Sequence, residues 1–151
     1  MKPVLIIIAV ITSLGVAGLF AHDYYQRQLA VENTSELVMS VTTDMLVNWN
    51  PDIVRQHASD SRLAGDTEPP EATQRAYTRL SRRLGALQEI YDIRYNVDMP
   101  GWWQSGRTAR ATFTMRARFE TETATIQVEL TRPQDQWQII GFNIQPPAIA
   151  S

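Results

Sequence analysis

The sequence predicts an α+β protein: an N-terminal transmembrane helix followed by a cone-shaped domain of about three helices packed on a curved four-stranded antiparallel sheet. Three observations carry that expectation. No charged residue occurs from Val4 to Phe20, apolar residues recur at helical spacing as far as Leu84, and beyond Gly85 the period switches to alternation. Helices first and an alternating sheet second is the order of an α+β domain, because a sheet with one apolar face needs helices to cover it. Of the 151 residues, about 130 remain once the apolar run is set aside, enough for one core.

The apolar run is flanked by Lys2 on one side and by His22, Asp23, Tyr24, Tyr25 and Arg27 on the other. As a helix it would rise about 26 Å, slightly under a hydrocarbon core of about 30 Å. Residues 1–23 therefore read as a membrane anchor, with lipid contact through residues 4–20 and with Lys2, Tyr24 and Tyr25 at the interfaces. A signal peptide is the alternative. A cut after Ala21 would leave Leu19 at a position that prefers small residues, whereas a cut after Gly18 fits better. The lysine ahead of the run places the N-terminus in the cytoplasm and the domain outside. The Arg-rich, Lys-poor composition and short span fit a bacterial envelope protein, so the expected location is the cell inner membrane, single-pass, with the domain in the periplasm.

Residues 24–49 read as one long helix, or as a helix with a break near Asn33. Leu37, Val38, Val41, Met45, Leu46 and Trp49 form its apolar stripe. Asn33 followed by Glu36 resembles a capping box, which divides residues 24–34 as a juxtamembrane helix or linker from a domain over 35–145. Asn50–Pro51 stops this helix and starts a short second one through His57. Ser59 to Pro70 reads as a surface loop, and Glu71 to Leu84 as a third helix that Gly85 ends. Residues 146–151 are a Pro-containing tail.

Four strands follow, at about 87–97, 107–119, 122–132 and 136–144. If Glu120–Thr121 is a two-residue turn, Ala117 faces Ala124, Met115 faces Ile126, Phe113 faces Val128 and Ala111 faces Leu130. The intervening pairs, such as Arg116 with Thr125 and Thr114 with Gln127, are then all polar. Glu–Thr lacks the left-handed preference of the usual tight hairpin, which points to a bulge there.

Composition removes several function classes. The net charge is −2, and more negative without Lys2, the chain's one lysine, which argues against nucleic acid as a partner. With no cysteine there is no disulfide, thiolate nucleophile or cysteine-ligated metal, and two histidines cannot form a three-histidine centre. No metal site and no cofactor is expected.

Three segments carry a family resemblance: Asn48-Trp49-Asn50-Pro51-Asp52 between the first helices, the alternating strand Arg107–Phe119, and the closing Trp137-Gln138-Ile139-Ile140-Gly141-Phe142-Asn143-Ile144. Together with the element order they resemble the nuclear-transport-factor-2-like (SnoaL-like, cystatin-like) superfamily over residues 35–145. That resemblance implies a cone with a candidate pocket and leaves the chemistry open, because the fold hosts enzymes, carriers and scaffolds. Members similar to ketosteroid isomerase use a pocket Asp as base. Here alternation puts Tyr91, Ile93, Tyr95 and Val97 on one face and Asp92 with Arg94 on the other, so Asp92 points away from the pocket and reads as a surface carboxylate.

The remaining candidates fall into two groups. His57, Tyr77, Tyr91, Tyr95, Phe113 and Trp137 are the ligand-pocket candidates; His57 stands three residues before Asp60, and each of these residues is equally at home in a plain core. Arg75, Arg79 and Arg82 form a basic ridge on the third helix, and Trp102–Trp103 sit in a Gly- and Pro-containing loop. These are partner-binding candidates, since exposed tryptophan is typical of binding surfaces. No catalytic constellation is visible.

The reading that follows is a non-enzymatic single-pass membrane protein acting as a scaffold or accessory subunit for a protein partner in a membrane assembly, with a homo-oligomer left open. The architecture is similar to periplasmic scaffold subunits of type IV secretion machines, although the cytoplasmic tail is very short and no motif specific to those subunits is present. A membrane-tethered ligand-binding domain or pocket enzyme is the alternative, and a pilin-like subunit the third.

Overall fold

A computed structural model of the chain describes residues 2–58, 70–101, 103–104, 106–133 and 136–147. The element order is α1 (Lys2–Asn48), α2 (Pro51–Gln56), α3 (Pro70–Leu84), β1 (Leu87–Asp98), β2 (Ala109–Phe119), β3 (Thr123–Arg132) and β4 (Gln138–Gln145). The strands form one antiparallel sheet in the order β1-β2-β3-β4, so the α+β class and the N-terminal apolar helix are as the sequence predicts.

α1 is a single helix of 47 residues, about 70 Å long. The described large apolar side chains from Val4 to Phe20 are 44–68% exposed. Further along, Ala30, Thr34, Val38, Val41 and Met45 are buried at spacings of three and four, the stripe that one face of a helix presents to a sheet. Of the two readings of residues 24–49, the single long helix is the one observed, and no break occurs at Asn33. The Thr34 hydroxyl donates to the Ala30 carbonyl at 2.5 Å within an uninterrupted helix, and burial of both residues against the domain stabilises continuation over capping.

α1 ends where the sequence places its end. Trp49 adopts φ +53, and its ring packs 5.8 Å from that of Phe119. Asn50 then caps α2: its side-chain oxygen accepts from the Asp52 N–H at 3.0 Å, with Pro51 in the first turn, where a missing N–H costs nothing. Gly85 closes α3 at φ +80, and a Cβ there would meet the Glu120 carboxylate at 2.8 Å, so both backbone and space demand glycine.

The β2–β3 register is the one that alternation dictates: Ala111↔Leu130, Phe113↔Val128, Met115↔Ile126 and Ala117↔Ala124 pair on the buried face. No bulge interrupts this hairpin. Bulges lie instead in β1, between Leu87 and Glu89 and between Tyr91 and Arg94, and at Ile140 in β4.

The sheet has two distinct ends. At one, Leu87 pairs with Phe119, Thr121 meets the end of α3, and Arg83 donates to the Pro147 carbonyl at 3.0 Å. This hairpin end receives the C-termini of both α1 and α3. The opposite end, where Asp98 pairs with Arg110 and Thr131 with Gln138, carries the β1–β2 and β3–β4 connections.

Candidate functional site

The pocket candidates do not gather around one cavity. The second β1 bulge sets Asp92 and Ile93 together against Met115, with Asp92 at φ +50. One extra residue reverses the facing of everything before it. Tyr91 therefore lies on the outer face, opposite Arg116, whose guanidinium stacks 5.7 Å from its ring, while Tyr95 lies on the inner face, 5.8 Å from Phe113. The expectation that Tyr91 and Tyr95 share a face is thus corrected. Asp92 is exposed and pairs with Arg94 at 3.3 Å across the bulge.

Phe113 is fully packed at 1% exposure, and Tyr77 and Trp137 are half-buried against the same core. His57 caps α2, with Nδ1 donating to the Ile53 carbonyl at 3.0 Å, and its own carbonyl accepts from the Ile139 N–H at 2.6 Å. It ties α2 to β4 instead of facing a cleft. Asp60, its expected neighbour, lies outside the described residues.

Three surface clefts are described on the domain. One, between α2 and α3, is lined by Pro51, Asp52, Arg55, Glu71, Gln74 and Arg75. Another lies between the ends of α1 and α3 beside Trp49 and Gly85, and the third is formed by Asp98, Arg107, Thr108 and Arg110. None of the pocket candidates lines any of them. In the first cleft each carboxylate is held by its own helical neighbour, Asp52 by Arg55 and Glu71 by Arg75, both at 3.4 Å. Among the described residues no three His, Asp or Glu side chains are placed to hold a metal ion.

The partner-surface candidates are exposed. Arg79 and Arg82 stand on the outer side of α3 and form no ion pair among the described residues, whereas Arg75 is paired with Glu71. Trp103 is 57% exposed, and its ring lies over Gly101, where a Cβ would approach it to 2.6 Å. Trp102 lies outside the described residues. Of the anchor residues, Tyr24 and Tyr25 are exposed by 66% and 60% on the α1 turn beyond Phe20, and Lys2 opens the helix.

Arg110, one of the arginines that alternation sets on the polar face of the sheet with Arg116 and Arg118, is exposed at the loop end beside Arg107, itself paired with Asp98 at 3.0 Å. The alternation of β2 marks Arg110 as outward; only the pairing of β1 with β2 sets it against Asp98. α1 is long and apolar enough to cross a membrane, and its most apolar window is wholly unburied. Comparison with protein-family models, with curated proteins and with solved structures finds no match.

Proposed function

We propose that this chain is a non-enzymatic, single-pass membrane protein of the bacterial inner membrane, whose periplasmic domain, nuclear-transport-factor-2-like in fold, serves as a scaffold or accessory subunit of a membrane assembly. The observation that carries this is the continuity of α1. Its exposed apolar half and its buried domain half are one helix. A helix without a linker holds the domain at a set height and angle over the bilayer, which a subunit needs and a tethered enzyme does not. Arg79 and Arg82, exposed and without an ion pair among the described residues, supply a cationic ridge for an acidic partner. The cleft between α2 and α3 supports the non-enzymatic reading, because its carboxylates are committed to exposed ion pairs.

The test is affinity purification of the tagged full-length chain from membranes in mild detergent, beside an Arg79→Glu/Arg82→Glu variant. Stoichiometric partners lost in the variant are expected. A lone monomer in the membrane fraction overturns the scaffold reading. A reporter fused after residue 151 tests the orientation, and activity only in the cytoplasm would reverse it.

A pilin-like subunit is the second reading, favoured by the same feature: a stem helix with one apolar exposed half and one half packed on an antiparallel sheet. Opposing it, the apolar run of α1 carries no glutamate, the first in the sequence being Glu32. Recovery of homopolymers in the purification would select it.

A further inference from the structure

We infer that the described part of the connection between β1 and β2, residues 99–101, 103–104 and 106–108, rests on the phospholipid headgroup layer of the bilayer that α1 enters, with Trp103 at the interface and Arg110 facing lipid phosphate. The inference rests on α1 being a membrane span.

The first support is height. The α1 face that carries Ala30, Thr34, Val38, Val41 and Met45 continues backward through Gln26 and Asp23, which are half-buried, whereas the described side chains before Asp23 are all exposed. Asp23 is about 4.5 Å and Ala30 about 15 Å along the axis from Phe20, at 1.5 Å per residue. Headgroups add roughly 5–8 Å beyond each side of the hydrocarbon. The domain thus shields α1 down to the level of the headgroups.

The second support is topology, which decides which end of the domain lies there. The C-terminus of α1 sits at the hairpin end, beside Phe119 and Leu87. At the other end Ala109, Ala111 and Phe113 are buried. α3 finishes at the hairpin end, and α2 is six residues long and leads to β4 through the bridge of Ala58 with Ile139. Among the described residues the earlier turns of α1 are left to cover the loop end of β2, which sets that end toward the bilayer that α1 enters.

The third support is chemistry. The loop is built: Gln104 N–H donates to the Gly101 carbonyl at 2.9 Å, the Gln104 side chain accepts from the Gly101 N–H at 3.3 Å, and the Trp103 ring lies on a buried Gly101. An indole held outward on a fixed turn suits the interface, where its apolar body and N–H are both accommodated. Arg107 and Arg110 gather at this end beside Asp98, and guanidinium groups pair well with phosphate.

The test uses the absence of native cysteine. Full-length Ile11→Cys, Gln104→Cys and Glu120→Cys variants are nitroxide-labelled, reconstituted in phosphatidylcholine/phosphatidylglycerol nanodiscs, and read for depth by oxygen against nickel-chelate accessibility. Label 11 is expected in the hydrocarbon, label 104 at headgroup depth and label 120 in water. Adding Trp103→Ser and Arg110→Ser is expected to raise nickel accessibility at 104 several-fold and leave 120 unchanged. If 11 is buried in lipid while 104 is as aqueous as 120, the loop inference fails and the span stands. Label 11 in water would overturn the span itself. A label at 104 that is immobile yet aqueous would give this loop to a protein partner and overturn the lipid assignment.

Discussion

The Thr121 hydroxyl donates to the Leu84 carbonyl at 2.8 Å, and the Thr121 N–H reaches the same oxygen at 3.2 Å, so a β-hairpin turn closes the C-terminus of a helix 37 residues earlier in the chain. The hydroxyl also lies 2.5 Å from the Arg83 carbonyl. Carbonyls of a last helical turn have no partner within the helix; here the turn supplies one. The same contact explains a hairpin made of Glu120–Thr121, neither of which has positive φ. Its geometry is held from outside, by α3 and by the Glu120 N–H bonded to the Ala86 carbonyl at 3.1 Å.

Thr121→Ala removes the hydroxyl from two carbonyls and is expected to destabilise the domain by about 1–2 kcal/mol, with Thr121→Ser retaining most of it. Thermal unfolding of the full chain in detergent reads this. Equal midpoints for Ala and wild type would show that the turn is not held through α3.

Phe113→Ala is expected to cost about 3–5 kcal/mol, since the ring is 1% exposed at the centre of the sheet. Tyr95→Ala, from the 56% exposed partner of that ring, is expected to cost about 1 kcal/mol or less. A well-folded Phe113→Ala protein that loses a ligand would place Phe113 in a pocket and reverse the reading of it as core.

What the sequence made legible, and what it did not, divides along the range of the forces. The β2–β3 register follows from side chains alone, because a one-residue slip would expose Phe113, Met115, Ile126 and Val128 together. The facing of Tyr91 was hidden, because the bulge at Asp92 is set by pairing with β2, and an aspartate within a strand is too weak a local mark to place it. The Asn33–Glu36 pattern is a genuine local signal overridden by burial of Ala30 and Thr34. Of the candidate surfaces, residue type was legible in Arg79, Arg82 and Trp103. Their positions in the fold follow from α3 and from the pairing of β1 with β2, which only the assembled fold supplies.

Asp92 offers a separate check of the bulge. Aspartate is among the few side chains that tolerate φ near +50. Asp92→Gly is expected to stay within about 0.5 kcal/mol of wild type, since relaxed backbone offsets a weak exposed pair with Arg94. Asp92→Val is expected to lose about 1–2 kcal/mol. If Val is tolerated as well as Gly, β1 is regular at this point and Tyr91 returns to the inner face.

Two buried threonines on α1 give the sharpest contrast. Thr34 and Thr42 are both fully buried, but the Thr34 hydroxyl donates to Ala30 whereas the Thr42 hydroxyl has no hydrogen-bond partner among the described residues. Burying an unsatisfied hydroxyl costs free energy that an isosteric methyl group does not, so Thr42→Val is expected to raise stability by about 1 kcal/mol. Thr34→Val exchanges a satisfied bond for apolar contact, and a change under about 0.5 kcal/mol is expected there. Helix propensities of Thr and Val are close, so the difference between the two variants reports on the hydroxyls alone. Denaturant midpoints of the two proteins, read side by side, decide it. A loss of stability in Thr42→Val would mean that its hydroxyl is bonded, and that α1 lies on the sheet in a different rotation from the one that buries Val38, Val41 and Met45.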